Sequence, residues 1–143
     1  MSTIVSIADA IVASLNAQVF TPSITAVRAH IPIFDLAQVG TDIKVNVVPR
    51  SLTIANAART LNFFDVSIDI GVQQRVDPND PAQIDILHDL VEQIDDHLRL
   101  KQLDTMMDAQ WISTDHDPIL AADHLEKLNV FTSVLTLTYR LTR

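Results

Sequence analysis

Cysteine is absent from the 143 residues, which excludes disulfides, thiolate metal ligands and thiol nucleophiles together. Glycine occurs only at Gly40 and Gly71, too sparsely for a loop whose backbone wraps a phosphate. Basic residues are also scarce: ten Lys and Arg against eighteen Asp and Glu leave a net charge of −8. That balance disfavours broad binding to phosphate backbones or to an anionic membrane surface, so no membrane partner is expected. Apolar runs stay short of the ~20 residues needed to span a bilayer. The N-terminal MSTIVSIADAIVASL is apolar, but Asp9 interrupts it and it lacks the basic leader of a signal peptide. A soluble product that stays where it is made is the expectation.

What is present reads as one globular domain over residues 1–143. Apolar residues make up 48% of the chain and charged ones 20%, enough to build a core and too little charge to keep the chain unfolded. At this length folding hides roughly two-thirds of the unfolded surface.

Thr3 to Gln18 places Ile4, Ile7, Ala8, Ile11 and Leu15 at spacings of three and four, predicting an amphipathic helix with Ser2 as N-cap. Strands are predicted over 23–29 and over 42–48, where Ile43, Val45 and Val47 alternate with Lys44 and Asn46 before Pro49. Pro32 breaks whatever follows the first of them. Residues 50–60 (RSLTIANAART) have no clean period and read as an ordered loop. The clearest strand is 64–73, with Phe64, Val66, Ile68, Ile70 and Val72 on one face and Asp65, Ser67, Asp69 and Gly71 on the other. A long helix follows, then a short edge strand at 110–113, a short helix over 118–128 and a final strand over 130–142. In that last strand Phe131, Leu135, Leu137, Tyr139 and Leu141 oppose Thr132, Thr136, Thr138 and Arg140. One wet face on each strong strand favours antiparallel pairing. The expected fold is α+β: a mainly antiparallel sheet of about four strands, flanked by an N-terminal helix and a long central helix.

The long helix, DPAQIDILHDLVEQIDDHLR (80–99), is the one stretch where chemistry competes with surface. Asp80 can cap, Pro81 stands at the first helical position, and Gln83 falls where a capping box needs it. Leu87, Val91, Ile94 and Leu98 share one side, whereas Asp85, Asp89, Glu92 and Asp96 gather opposite. A hard ion could sit between neighbouring carboxylates. A straight row on a convex surface does not converge, however, so a solvated face is the better reading. His88 and His97 lie nine residues apart, on opposite sides of the helix, and cannot chelate together.

Elsewhere no HExxH, GxSxG or phosphate loop occurs. Asp115-His116-Asp117 could orient an imidazole, but no nucleophile is suggested beside it, and a polar turn before Pro118 accounts for it. His30 and His124 read as structural histidines. Neither catalytic residues, nor a metal site, nor a cofactor is expected. Trp111 is open between core and interface anchor.

Three segments together resemble a known family. DIKVNVVPR (42–50) is followed by Arg59 and FFDVSIDIGVQ (63–73), then the acidic helix, and last VFTSVLTLTYRLTR (130–143). This series is similar to the tail terminator proteins of long-tailed bacteriophages, small α+β proteins that share a fold with some neck proteins. The likeness spans nearly the whole chain as an order of elements and is weakest at 50–60 and 104–128. It implies a homo-oligomeric ring, usually of six copies, that caps the tail tube, stops its growth and offers a surface to the head's connector. Implied partners are the tail tube protein and the head–neck connector or adaptor, with the sheath as a further one. DNA would pass through the lumen without specific binding. The implied location is the tail–neck junction of the virion, after assembly in the bacterial cytoplasm. A head-closure or other neck protein of the same virion is the alternative; a small enzyme or ion-dependent binding module using the acidic helix and STDHDP is a more distant one.

Within that resemblance the few arginines stand out. Arg50 and Arg59 flank the irregular stretch, Arg75 ends the best strand, and Arg140 nears the end of the last. Planar, bidentate guanidinium groups suit subunit boundaries. Arg50 and Arg59 are the preferred interface residues, with Arg75, Trp111 and Arg140 behind them. Asp85, Asp89, Glu92 and Asp96 are expected to face solvent or the ring's lumen.

Overall fold

The computed structural model describes residues 2–29, 41–77, 79–99, 103, 106, 108–116, 120, 122, 125 and 129–143. Its elements run α1 (Thr3–Ala17), β1 (Ala26–Arg28), β2 (Lys44–Ala58), β3 (Leu61–Arg75), α2 (Pro81–Leu98), β4 (Gln110–His116) and β5 (Val130–Thr142). The strands form one sheet in the order β1-β2-β3-β5-β4, antiparallel except that β1 runs parallel to β2. The class is α+β. The expectation of about four mainly antiparallel strands and a long central helix is corrected to a mixed sheet of five strands with described helices of 15 and 18 residues. The difference lies chiefly at one edge, where the three-residue β1 runs parallel to β2 and its direction is set by that pairing, not by any pattern of its own.

The expected loop at 50–60 is also overturned. β2 continues through it to Ala58 and pairs with β3 as far as Leu61, so that only Arg59 and Thr60 turn. The register slips between Pro49 and Ser51 and again between Asn56 and Ala58. Each slip is a bulge that moves the next residues to the other face. Before the first, Val45 and Val47 lie beside Val72 and Ile70; after it, Leu52 and Ile54 lie beside Val66 and Phe64. Odd positions thus give way to even ones along a single apolar face, which erases the two-residue period.

α1 packs on β1 and β2 and α2 on β5, enclosing one core. Ile7, Ile11 and Leu15 of α1 and Leu87, Leu90, Val91, Ile94 and Leu98 of α2 are buried there against Val66, Ile68, Ile70 and Val72 of β3 and Leu135, Leu137 and Tyr139 of β5. Ser14 Oγ and His97 Nε2, 2.9 Å apart, tie the helices together, and Phe20 meets the His97 ring edge-on. Ser2 holds the N-cap position of α1 but its side chain does not cap; its carbonyl accepts from the Ser6 amide and hydroxyl. Asp80 does cap α2, accepting from the Gln83 amide, but Gln83 reaches back to the amide of Asp77, not to that of Asp80.

The second face of the sheet is not uniformly wet. Toward the Lys44 end Asn46, Asp69, Gln73 and Thr132 are buried. Three of them are satisfied across strands: Gln73 donates to Thr132 (3.3 Å) and Thr136 donates to Asp69 (2.7 Å), whereas the buried Asn46 Oδ1 meets no partner among the described residues. Toward the hairpin end the same face opens, with Ser51 and Thr53 exposed.

On the helix side, the Tyr139 hydroxyl is buried and meets no hydrogen-bond partner among the described residues, and burial pushes its ionisation well above the ordinary range. An unmade bond at a buried hydroxyl costs stability. Tyr139→Phe is therefore expected to leave the fold intact and raise its unfolding free energy by about 1 kcal/mol, as urea denaturation would measure.

Candidate subunit interface

The hairpin end of the sheet is built from a local conflict. Pro49 has no amide to donate, and the bulge at Arg50 follows at once, so β2 leaves the shelter of α1 and β1 at this point. From Ser51 to Ala58 every residue but the half-buried Ala57 is exposed. Leu52, Ile54 and Leu61 keep 43%, 57% and 43% of their surface in water. Among the described residues nothing pairs with the outer edge of β2 beyond Val47. An apolar ribbon with open backbone groups is a ready template for another chain.

The inner side of this end is firmly tied. Arg140 grips Asp65 with two bonds, 2.8 and 3.0 Å, and lies 4.2 Å from the centre of the Phe63 ring. Its hydrogen bond is the main reason the Asp65 carboxyl titrates below the usual range. Arg143 covers Phe64, bonds Thr3 of α1, and exchanges backbone bonds with Asn62 (2.7 and 3.0 Å). The strands under the exposed ribbon are thereby held in one position.

The arginines marked by the sequence consequently separate. Arg59 stands exposed at the turn, with no ion pair among the described residues. Arg50, at the bulge, lies 3.6 Å from Asp69 and donates to Thr136 at 3.3 Å. Arg140 is engaged within the chain, and Arg75 is an exposed strand end opposite Val130. Trp111 is half-buried against the core, its indole N–H donating to Thr114 Oγ1 at 2.9 Å. Among the described residues Arg50 and Arg59 stand at the two ends of the exposed ribbon, and the other marked residues lie away from it.

The acidic row on α2 points outward: Asp85, Asp89, Glu92 and Asp96 are all exposed. Asp89 accepts from Gln93 at 2.9 Å and Asp96 pairs with Arg99 one turn on. Exposed pairs of this kind contribute little. Changing all four to Asn, which takes the net charge from −8 to −4, is expected to move the melting temperature by no more than a few degrees and to leave assembly size unchanged. A collapse of assembly in sedimentation would show instead that the row contacts a neighbour.

The STDHDP stretch is a strand as far as His116, not a turn; Asp117 and the expected helix from Pro118 fall largely outside the described residues, as do Pro32, His30 and His124. Adjacent strand residues point to opposite faces, so Asp115, paired with Thr136, cannot orient His116, paired with Leu135. His116 Nε2 instead lies 2.5 Å from Ser133 Oγ, a partner with no local sequence signal because it comes from another strand. Burial, aided by the His88 charge, lowers the His116 pKa, with Asp95 and Glu92 partly opposing. Ser133 is fully buried, so this pair reads as a structural bond beneath α2. His88 stacks edge-on with Phe131. Among the described residues no three His, Asp or Glu are placed so that they could hold a metal ion together.

The chain matches no family model and no curated protein.

Proposed function

We propose that this chain is a structural virion subunit that forms a ring, of six copies by the resemblance, capping the tail tube of a long-tailed bacteriophage. The ring ends tube growth and joins the tail to the head's connector. The chain acts by shape and self-association and carries out no reaction. The observation that supports this most is the Ser51–Ala58 ribbon, where an unpaired strand edge and the exposed Leu52 and Ile54 coincide on a rigidly tied base. A monomer gains nothing by leaving such a strip in water, whereas a subunit does. The series of elements around it, DIKVNVVPR, FFDVSIDIGVQ, the acidic helix and the closing strand, supplies the biological setting. An acidic subunit repeated around a channel would repel DNA from its wall and let it slide through.

Virions produced without this chain test the role. Electron micrographs are expected to show overlong tails or heads and tails left unjoined. Joined particles with tails of normal length would contradict it.

A further inference from the structure

We infer that the occupant of the β2 edge is the β4 edge of a second copy, so that the sheet continues from subunit to subunit. This deepens the ring reading and rests on it. β4 is the opposite edge of the same sheet, and among the described residues nothing pairs with its side away from β5. Because β2, β3, β5 and β4 alternate in direction, β4 of one copy and β2 of the next meet antiparallel when the sheets are laid in line.

One register satisfies both pattern and charge. It sets Ser51, Leu52, Thr53 and Ile54 opposite Asp115, Thr114, Ser113 and Ile112. Ser51 and Thr53 lie on the face opposite the helices, as do Ser113 and Asp115, which pair with Thr138 and Thr136; Leu52 and Thr114 lie on the helix face. A one-residue slip would mismatch every pair. Ile112, itself an exposed apolar residue at a bulge, then meets Ile54. The charges agree as well. The basic ends of the ribbon, Arg50 and Arg59, come alongside Asp115 and Asp108, which are exposed and have no ion pair among the described residues. A contact joining two different surfaces is head-to-tail, and it makes a ring when the rotation closes.

The lack of cysteine makes the test clean. Thr53→Cys and Ser113→Cys are both at exposed positions. Within one chain they are separated by three strand spacings, about 14 Å, too far for a disulfide. The double variant is expected to yield, on mild oxidation, a ladder of covalent multimers ending at the size of the ring, while each single variant stays uncrosslinked. As an independent arm, Arg59→Asp and Asp108→Arg should each weaken association by about tenfold or more, and their combination should restore it. Crosslinking of Thr53→Cys alone would show like edges meeting and overturn the inference. An intact ring by light scattering with neither ladder nor charge rescue would overturn it while sparing the ring reading. A chain that stays monomeric and never joins tail tubes would sink both.

Discussion

Truncating Ile68 to alanine is expected to lower the unfolding free energy by about 3–4 kcal/mol. Ile68 is fully buried, lies between Pro49 and Leu137 in the sheet, and belongs to the core cluster enclosed by both helices. Removing its outer carbons forfeits their transfer energy and leaves a cavity that three paired strands and two helices cannot collapse around. A domain of this size has only about 5–15 kcal/mol in total. The loss should therefore appear as a drop of roughly 10 °C in melting temperature. Urea denaturation reports the same change as a lower midpoint at nearly constant slope. A change below about 1 kcal/mol would mean that the strand does not sit at the centre of the core.

Ile54 lies on the same apolar face of the same sheet, four positions past the bulge at Arg50, yet the expected result is opposite. Ile54→Asp should leave monomer stability within about 0.5 kcal/mol, because the side chain is mostly in water. Assembly should fail. A carboxylate placed at the centre of an apolar subunit contact must be desolvated without a partner, and losses at such positions reach at least 2 kcal/mol per contact, about thirtyfold in affinity. A ring multiplies that loss around its circumference. Sedimentation of the variant should show monomer where the parent protein assembles, with an unchanged circular dichroism spectrum. An assembly of normal size would remove the ribbon from the account, and a melting temperature that fell with it would show that the ribbon belongs to the fold of the single chain.

The contrast between the two isoleucines also marks what could be read from the chain. The period of β3, the apolar side of α2 and the closing strand follow from burial on one face, and the structure places Val66, Ile68, Ile70, Leu135, Leu137 and Tyr139 in the core accordingly. The ribbon was illegible for a physical reason: two bulges reset the alternation inside RSLTIANAART, so that a paired strand carries the signature of a loop. Legibility failed again where polar groups satisfy one another across strands. Asp69, Gln73 and Thr132 have the sequence pattern of a wet face, but their partners lie 59 or more residues away. A separation of 17 residues and a change of strand hid Ser133 from His116, while Asp115, the neighbour that local reading offered, points to the other side. Of the candidate interface residues, Arg59 sits exposed beside the ribbon, whereas the tight pairing of Arg140 with Asp65 emerges only once β3 and β5 are aligned.

The molar mass of the purified chain, measured by light scattering alone and after mixing with tail tubes, tests most directly whether the protein works by joining copies of itself. A closed multiple of one chain in solution, or single chains that become such a multiple on tube ends, is expected. Single chains at every concentration, indifferent to tubes but sharply stabilised by a bound ion or small molecule, would contradict it.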